Sequence, residues 1–233
     1  MEFLETGFAG ECSREEIARL QILSRENGCS CTIGLGGGKA IDTSVIAAAP
    51  TRFLVSGMGD ALSTYFEARA NVRSKTKVSA GLPCGVREGL CPPAYGTRAA
   101  YALAELCYQN LLAYGKAAKE ASERHEVTEE LETIVETNIL LSGLGFESAG
   151  LAAAHAIHDS LTVLEETHQY THGEKVSFGT VCQLALEEEN GTTTDDEINE
   201  VLEFCMSLGL PVCLEDIGVQ SISEDKLREV AEK

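Results

Sequence analysis

Apolar residues recur with a helical period along most of this chain. Within residues 13–27, Ile17, Leu20, Ile22 and Leu23 form an apolar face, with Ser13 placed to cap and Glu16 three residues on. That pattern predicts a short amphipathic helix ended by Gly28. Residues 29–35 read as a short buried strand running into a glycine turn, and residues 39–49 as a helix that Pro50 stops. Helix, strand, glycine turn and helix make up half of a nucleotide-binding α/β unit. Residues 52–55 read as extended, Gly57 and Gly59 as a loosening of the chain, and Asp60 as the residue that opens a further helix.

Beyond that point every strong pattern is helical. Residues 72–97 are the exception, with glycine and proline at Gly81, Pro83, Gly85, Gly89, Pro92, Pro93 and Gly96, and read as an irregular loop. Tyr101, Leu103, Leu106, Cys107, Leu111 and Leu112 predict a helix that Gly115 ends. Thr128 should cap the next, with Glu129 and Glu130 favourable in its first turn and Gly143 and Gly145 closing it. Further helices are expected over 147–166, over 174–188 and after Thr194, where Glu197 suggests a capping box. Gly209 and Pro211 should end that one, and Ser223 should cap a last short helix.

With 233 residues and 44% apolar content, the chain can build a sizeable core. Its formal charge of -19 excludes the basic face that a nucleic-acid partner requires. The acids, including Glu129, Glu130, Glu132 and Glu136 and the run Glu187, Glu188 and Glu189, read as solvated helix faces. Apolar runs are too short to span a bilayer and the N-terminus carries no secretory pattern, so a cytoplasmic protein without a membrane partner is expected. The nine cysteines are scattered without zinc-ribbon spacing and read mostly as small buried hydrophobes.

Candidate chemistry gathers in two places. Four of the five histidines (His155, His158, His168 and His172) lie within eighteen residues, on a predicted helix and the turn after it. Neutral imidazoles on adjacent segments suit a transition metal; satisfied helix-face and loop histidines are the alternative. His155 and His158 share a face beside Leu151, and small Ala152, Ala153, Ala154 and Ala156 would let neighbouring helices approach. Zinc held by imidazoles commonly adds a carboxylate, for which Asp60 is the candidate, unless it only caps its helix. The second place is Gly34-Leu35-Gly36-Gly37-Gly38-Lys39, which fails both the Rossmann and P-loop patterns. Its glycines could bring backbone against a phosphate at a helix start, or simply make a turn.

The strings GLGGGKAIDT, RFLVSGMGDALSTYFEA, AAYALAELCYQNLL, LLSGLGFESAGLAAAHAIH and HGEKVSFGT, in this order, resemble the metal-containing alcohol dehydrogenase family, its glycerol dehydrogenases in particular. The resemblance implies a dehydroquinate synthase-like architecture. Its parts would be a truncated nucleotide-binding α/β remnant over 1–51 and an all-α, helical metal-binding domain over 52–233. It implies Asp60, His155 and His172 as ligands of zinc (Zn2+), and Gly36, Gly37, Gly38, Lys39 and Asp42 as the segment receiving the NAD pyrophosphate. His158 is implied as a catalytic-site residue in the cleft that does not ligate the metal.

The implied activity is NAD-linked, zinc-dependent oxidation of glycerol to dihydroxyacetone, or of a similar small polyol, by a homo-oligomer. Zinc would lower the pKa of the reacting hydroxyl while NAD takes the hydride. Compared with the family pattern, the first strands with their ribose-binding acid, a strand and Ser/Thr-rich loop between residues 49 and 52, and the last helices are expected to be missing. The alternative is therefore a catalytically inactive shortened paralogue or fragment that keeps metal binding and subunit assembly.

Overall fold

Helix α2 (Thr51–Ser74) is the axis of the molecule. The structure is a computed structural model in which residues 4–7, 14–29, 50–78 and 94–232 are described. The expected strand, the glycine turn with Gly36, Gly37, Gly38 and Lys39, and the helix with Asp42 lie outside these residues, as do the glycines and prolines of the expected loop from Gly81 to Pro93. Helix α1 (Arg14–Glu26) forms as its apolar spacing predicts, and Gly28, at φ 60°, follows it in the left-handed region.

The extended stretch expected at 52–55 is instead the first turn of α2. Pro50 immediately precedes the helix, where a missing N–H costs nothing. Gly57 and Gly59 do not loosen it: a Cβ at Gly59 would lie 2.6 Å from the Gly173 carbonyl oxygen, and one at Gly57 would lie 2.7 Å from Asn138 Nδ2. They are smooth places where other elements press on the helix. Asp60 accordingly sits inside α2 rather than at its start, and the capping role is ruled out.

After α2 come a short antiparallel ladder, β1 (Lys77–Val78) with β2 (Ala94–Tyr95), and then α3 (Arg98–Arg124). Gly115 does not end α3; a Cβ there would meet the Phe204 ring at 2.9 Å and the Met58 sulfur at 3.2 Å. Helix α4 (Glu129–Glu136), capped by Thr128 as expected, continues through a π-helical turn (Thr137–Leu141) into α5 (Ser142–Ala149). Gly145 again marks close packing, against Thr64 of α2, rather than a terminus.

The helix expected over 147–166 is broken. Gly150, at φ 83°, ends α5; α6 (Ala153–Leu161) follows, and Glu165–Thr167 form a 3-10 turn. Helices α7 (His172–Glu189), α8 (Asp195–Leu208) and α9 (Glu224–Ala231) complete the chain, with Thr194, Gly209 and Ser223 as termini where the sequence placed them. Thr194 caps α8, but Glu197 does not complete a capping box, because its carboxylate is drawn to Arg69 at 2.5 Å and to Thr193. The box forms at α7 instead, between Thr171 and Glu174.

The main core joins α2, α3, α4, α7 and α8 around Met58, Leu62, Phe66, Leu111, Ile134, Leu184 and Val201. A smaller cluster, with Leu161, Phe178, Ile217 and Val230, ties α6 and α7 to the C-terminal residues. Arg69, itself buried, reaches from α2 to Glu197 on α8 and to Glu187 on α7. Glu187 is thus an internal partner rather than one of the solvated acids, and it also pairs with Arg73 at 3.2 Å. Cys107 and Cys205 are free and buried as expected, and burial pushes both thiols up to about 12. Among the described residues, no single helix is long and apolar enough to cross a membrane.

Candidate metal centre

Three helices deliver one side chain each to a common point. Asp60 comes from the third turn of α2, His155 from the first turn of α6, and His172 from the first residue of α7. Asp60 Oδ1 lies 3.4 Å from His155 Nε2 and 3.2 Å from His172 Nε2, and the three donor atoms lie within 4.8 Å of one another.

The fold explains why these helices can meet. A Cβ at Gly173 would overlap the Ser56 carbonyl oxygen, and one at Gly179 would overlap that of Ala154. Glycine at these two places lets α7 lie directly against α2 and α6. The start of α7 is fixed further by the Thr171–Glu174 capping box, by Ser56 Oγ at 2.7 Å from Thr171 Oγ1, and by Arg52, which donates to both Glu174 carboxylate oxygens.

Each imidazole is held from behind. His155 Nδ1 lies 2.7 Å from Glu67 Oε2, and Glu67 Oε1 accepts from the backbone N–H groups of Ala152 and His155 at 2.7 and 3.0 Å. His172 Nδ1 lies 3.1 Å from His158 Nε2, whose ring Nδ1 lies 3.0 Å from Asp159 Oδ1. A carboxylate only accepts, so the proton of each such contact belongs on the imidazole. In the neutral rings, with Nδ1 of His155, His158 and His172 each donating, the Nε2 atoms of His155 and His172 turn their lone pairs toward Asp60.

Electrostatics follow this layout. Burial works against ionisation of Asp60, but the facing imidazoles of His155 and His172 prevail and hold it well below the usual carboxylate range. Burial likewise disfavours a charged His155, yet Asp60 and Glu67 override it and raise the ring to about 9. His158 is lowered, by burial first and by the neighbouring His172 second.

The residues fit a divalent transition metal. Metal–donor bonds of about 2.0–2.1 Å in tetrahedral array separate donor atoms by about 3.4 Å, close to the two distances from Asp60 Oδ1. That oxygen is buried and has no hydrogen-bond partner among the described residues, an expensive state for a carboxylate that a cation would relieve. His155 is the most enclosed donor, while His172 and Asp60 are partly open to solvent. Of the remaining histidines, His168 stands outside this group, with Nε2 3.0 Å from the Thr162 carbonyl oxygen, and His125 follows the last turn of α3.

Sequence reasoning placed Asp60, His155, His172 and His158 at one centre, and the fold brings all four together. It passed over Glu67. The available signal was its spacing: seven residues after Asp60 is two helical turns, which sets both on one face of α2. An acid inside the apolar run of that helix has to find an internal partner.

The described residues form a helical, dehydroquinate synthase-like domain with a candidate metal site, and the relatives that follow make the chain an oxidoreductase. Residues 150–230 match the 3-dehydroquinate synthase C-terminal family. The chain is 40% identical to a glycerol dehydrogenase of Thermotoga maritima over 281 aligned positions, covering 97% of this chain and 72% of that one. It is 38% identical to a glycolaldehyde reductase of Halobacterium salinarum, with 97% and 72% covered. A solved structure of a probable glycerol dehydrogenase from Sinorhizobium meliloti superposes with a TM-score of 0.70 at 37% identity, covering 97% of this chain and 74% of that one.

The chain belongs to the glycerol dehydrogenase family. Its alignment with the Thermotoga protein is at least 48 positions longer than its own 233 residues, so that relative carries internal residues with no counterpart here.

Proposed function

We propose that this protein oxidises glycerol, or a similar small polyol, to the corresponding hydroxyketone with NAD as hydride acceptor. Asp60, His155 and His172 hold a divalent ion, of which zinc best suits two imidazoles and one carboxylate. The observation that carries the proposal is the convergence of these three donors from three helices within 4.8 Å of one another, with Asp60 Oδ1 left without a hydrogen bond. When bound, the metal supplies Lewis acidity that favours loss of the substrate hydroxyl proton near neutral pH.

The protein's own groups do the rest by placement. Asp60 contributes the negative charge that offsets part of the metal's. Glu67 and His158 keep the two imidazoles turned so that Nε2 faces inward, and His158 acts through His172 rather than on substrate. The partly open side, by His172 and Asp60, is where a polyol would enter. Gly36, Gly37, Gly38, Lys39 and Asp42 are the proposed contacts for the NAD pyrophosphate. We place the protein in the cytoplasm as a homo-oligomer, with an α/β segment over 1–51 and a helical domain over 52–233.

The test pairs zinc content with NAD reduction by glycerol, in the unaltered protein and in Asp60→Ala and His155→Ala. Zinc near one per chain, lost in both variants together with NADH formation, is the expected result; equal zinc in all three would overturn the ligand assignment. A second reading, an inactive relative that keeps the metal, is favoured by the internal residues that the Thermotoga enzyme has and this chain lacks. Folded, zinc-loaded protein that forms no NADH with any small polyol would establish it.

A further inference from the structure

Glu67 is the most deeply buried charged side chain of the structure's central helix, with no exposed surface. Among the described residues its hydrogen bonds run to Ala152 and His155. Oε1 accepts from Ala152 N and His155 N, and Oε2 faces His155 Nδ1 at 2.7 Å. A single carboxylate therefore receives both the backbone entry to α6 and the outer nitrogen of its histidine. Burying a carboxylate so completely costs stability unless every oxygen is partnered, and here both are.

We infer that Glu67 is the positioning residue of the centre: it fixes the rotation of the His155 ring and keeps the proton on Nδ1, so that Nε2 presents its lone pair toward Asp60 and the metal. This rests on Asp60, His155 and His172 being the ligands. A hydrogen bond from the far nitrogen of a ligand histidine to a carboxylate orients the ring and raises its basicity, and losing it typically weakens metal binding about 10–100-fold.

Glu67→Gln separates this role from mere packing, because the amide is the same shape. Its oxygen must serve the two backbone donors, as Oε1 does now. That leaves the NH2 group facing His155 Nδ1, which can accept only if the ring proton moves to Nε2, the nitrogen needed for the metal. The cap on α6 survives while the donor is turned off.

The experiment titrates metal-stripped protein with Zn2+ alone by calorimetry, for the unaltered chain, Glu67→Gln and Asp60→Ala. Thermal unfolding accompanies it, with nitrogen-15 histidine spectra of the metal-free proteins taken at a pH high enough that the His155 ring is neutral. The expected result is zinc affinity at least tenfold weaker in Glu67→Gln, with an unfolding midpoint within a few degrees of the unaltered chain. The His155 Nδ1 signal should change from protonated to unprotonated.

Unchanged zinc affinity in Glu67→Gln, beside abolished binding in Asp60→Ala, would overturn the inference. So would an Nδ1 that stays protonated in Glu67→Gln. If Asp60→Ala also binds zinc like the unaltered chain, the ligand reading has failed instead, and the nitrogen spectra alone decide whether Glu67 holds the ring.

Discussion

Helix α2 carries two carboxylates two turns apart, and their surroundings differ sharply. Around Glu67 the protein supplies every partner: two backbone N–H groups and an imidazole, in a region where neighbouring Arg69 and Asn71 are also buried and bonded. Around Asp60 the helix is thinned by Gly57 and Gly59, the side chain is partly open, and Oδ1 is left without a hydrogen bond. A carboxylate completed by its own fold is part of the scaffold, whereas one left incomplete is available to a ligand. The contrast predicts that the two residues divide stability and binding between them.

Removal of Glu67 as Glu67→Ala should have the largest effect on the metal-free protein. It strands two backbone donors and one imidazole in the interior, at about 3–5 kcal/mol by the usual cost of breaking a buried charged contact. Urea unfolding measures this, and a loss under about 1 kcal/mol would break the contrast.

Next is Gly173→Ala, whose new methyl must push α7 away from Ser56. Overpacking of this kind costs about 1–3 kcal/mol, and because the displaced turn carries His172, zinc affinity measured by calorimetry should fall as well. Unaltered stability would show that α2 and α7 are not tightly apposed at Ser56.

The Arg69 cluster sharpens the scaffold side. Burial alone would raise Glu197, but Arg69 and Thr193 outweigh it, so the folded value lies below the ordinary one. The stability this provides is present above the unfolded value, about 4.3, and is lost as pH falls through the lower folded value. In Glu197→Gln the decline of stability below about pH 4.3 should be shallower, with a neutral-pH loss on the order of 1 kcal/mol. Equally steep acid unfolding in both proteins would remove Glu197 from that account.

Asp60→Ala in the metal-free state should cost less than Glu67→Ala, because its pairing with His155 and His172 is partly open to solvent, although it removes zinc binding. A large loss there would make Asp60 scaffold too.

The sequence made helix centres legible and helix ends much less so. Apolar spacing placed α1, α3, α7 and α8, and the caps Thr128, Thr194 and Ser223 were readable because a cap is a local device of a few residues. Glycine misled at Gly57, Gly59, Gly115 and Gly145. A missing side chain can permit a turn or admit a neighbouring helix, and only the partner (Asn138, Gly173, Phe204 or Thr64) tells which. The same error put Asp60 at a helix start. The candidate donors Asp60, His155 and His172 could be picked out through family motifs that do not depend on boundaries, but Glu187 read as one of the surface acids of a chain with formal charge -19, and Glu67 carried no signal beyond its spacing from Asp60.

The capping box at the head of α7 bears on how such chains descend. His172 is the first residue of its helix, so its ring goes wherever Thr171, Glu174 and Arg52 set that first turn. A relative could inherit Asp60, His155 and His172 intact and still lose the centre through drift at positions 52, 171 or 174. Among shortened members of the family, the three donors alone are thus a poor marker of inherited activity; the clamp that aims the third has to be inherited with them.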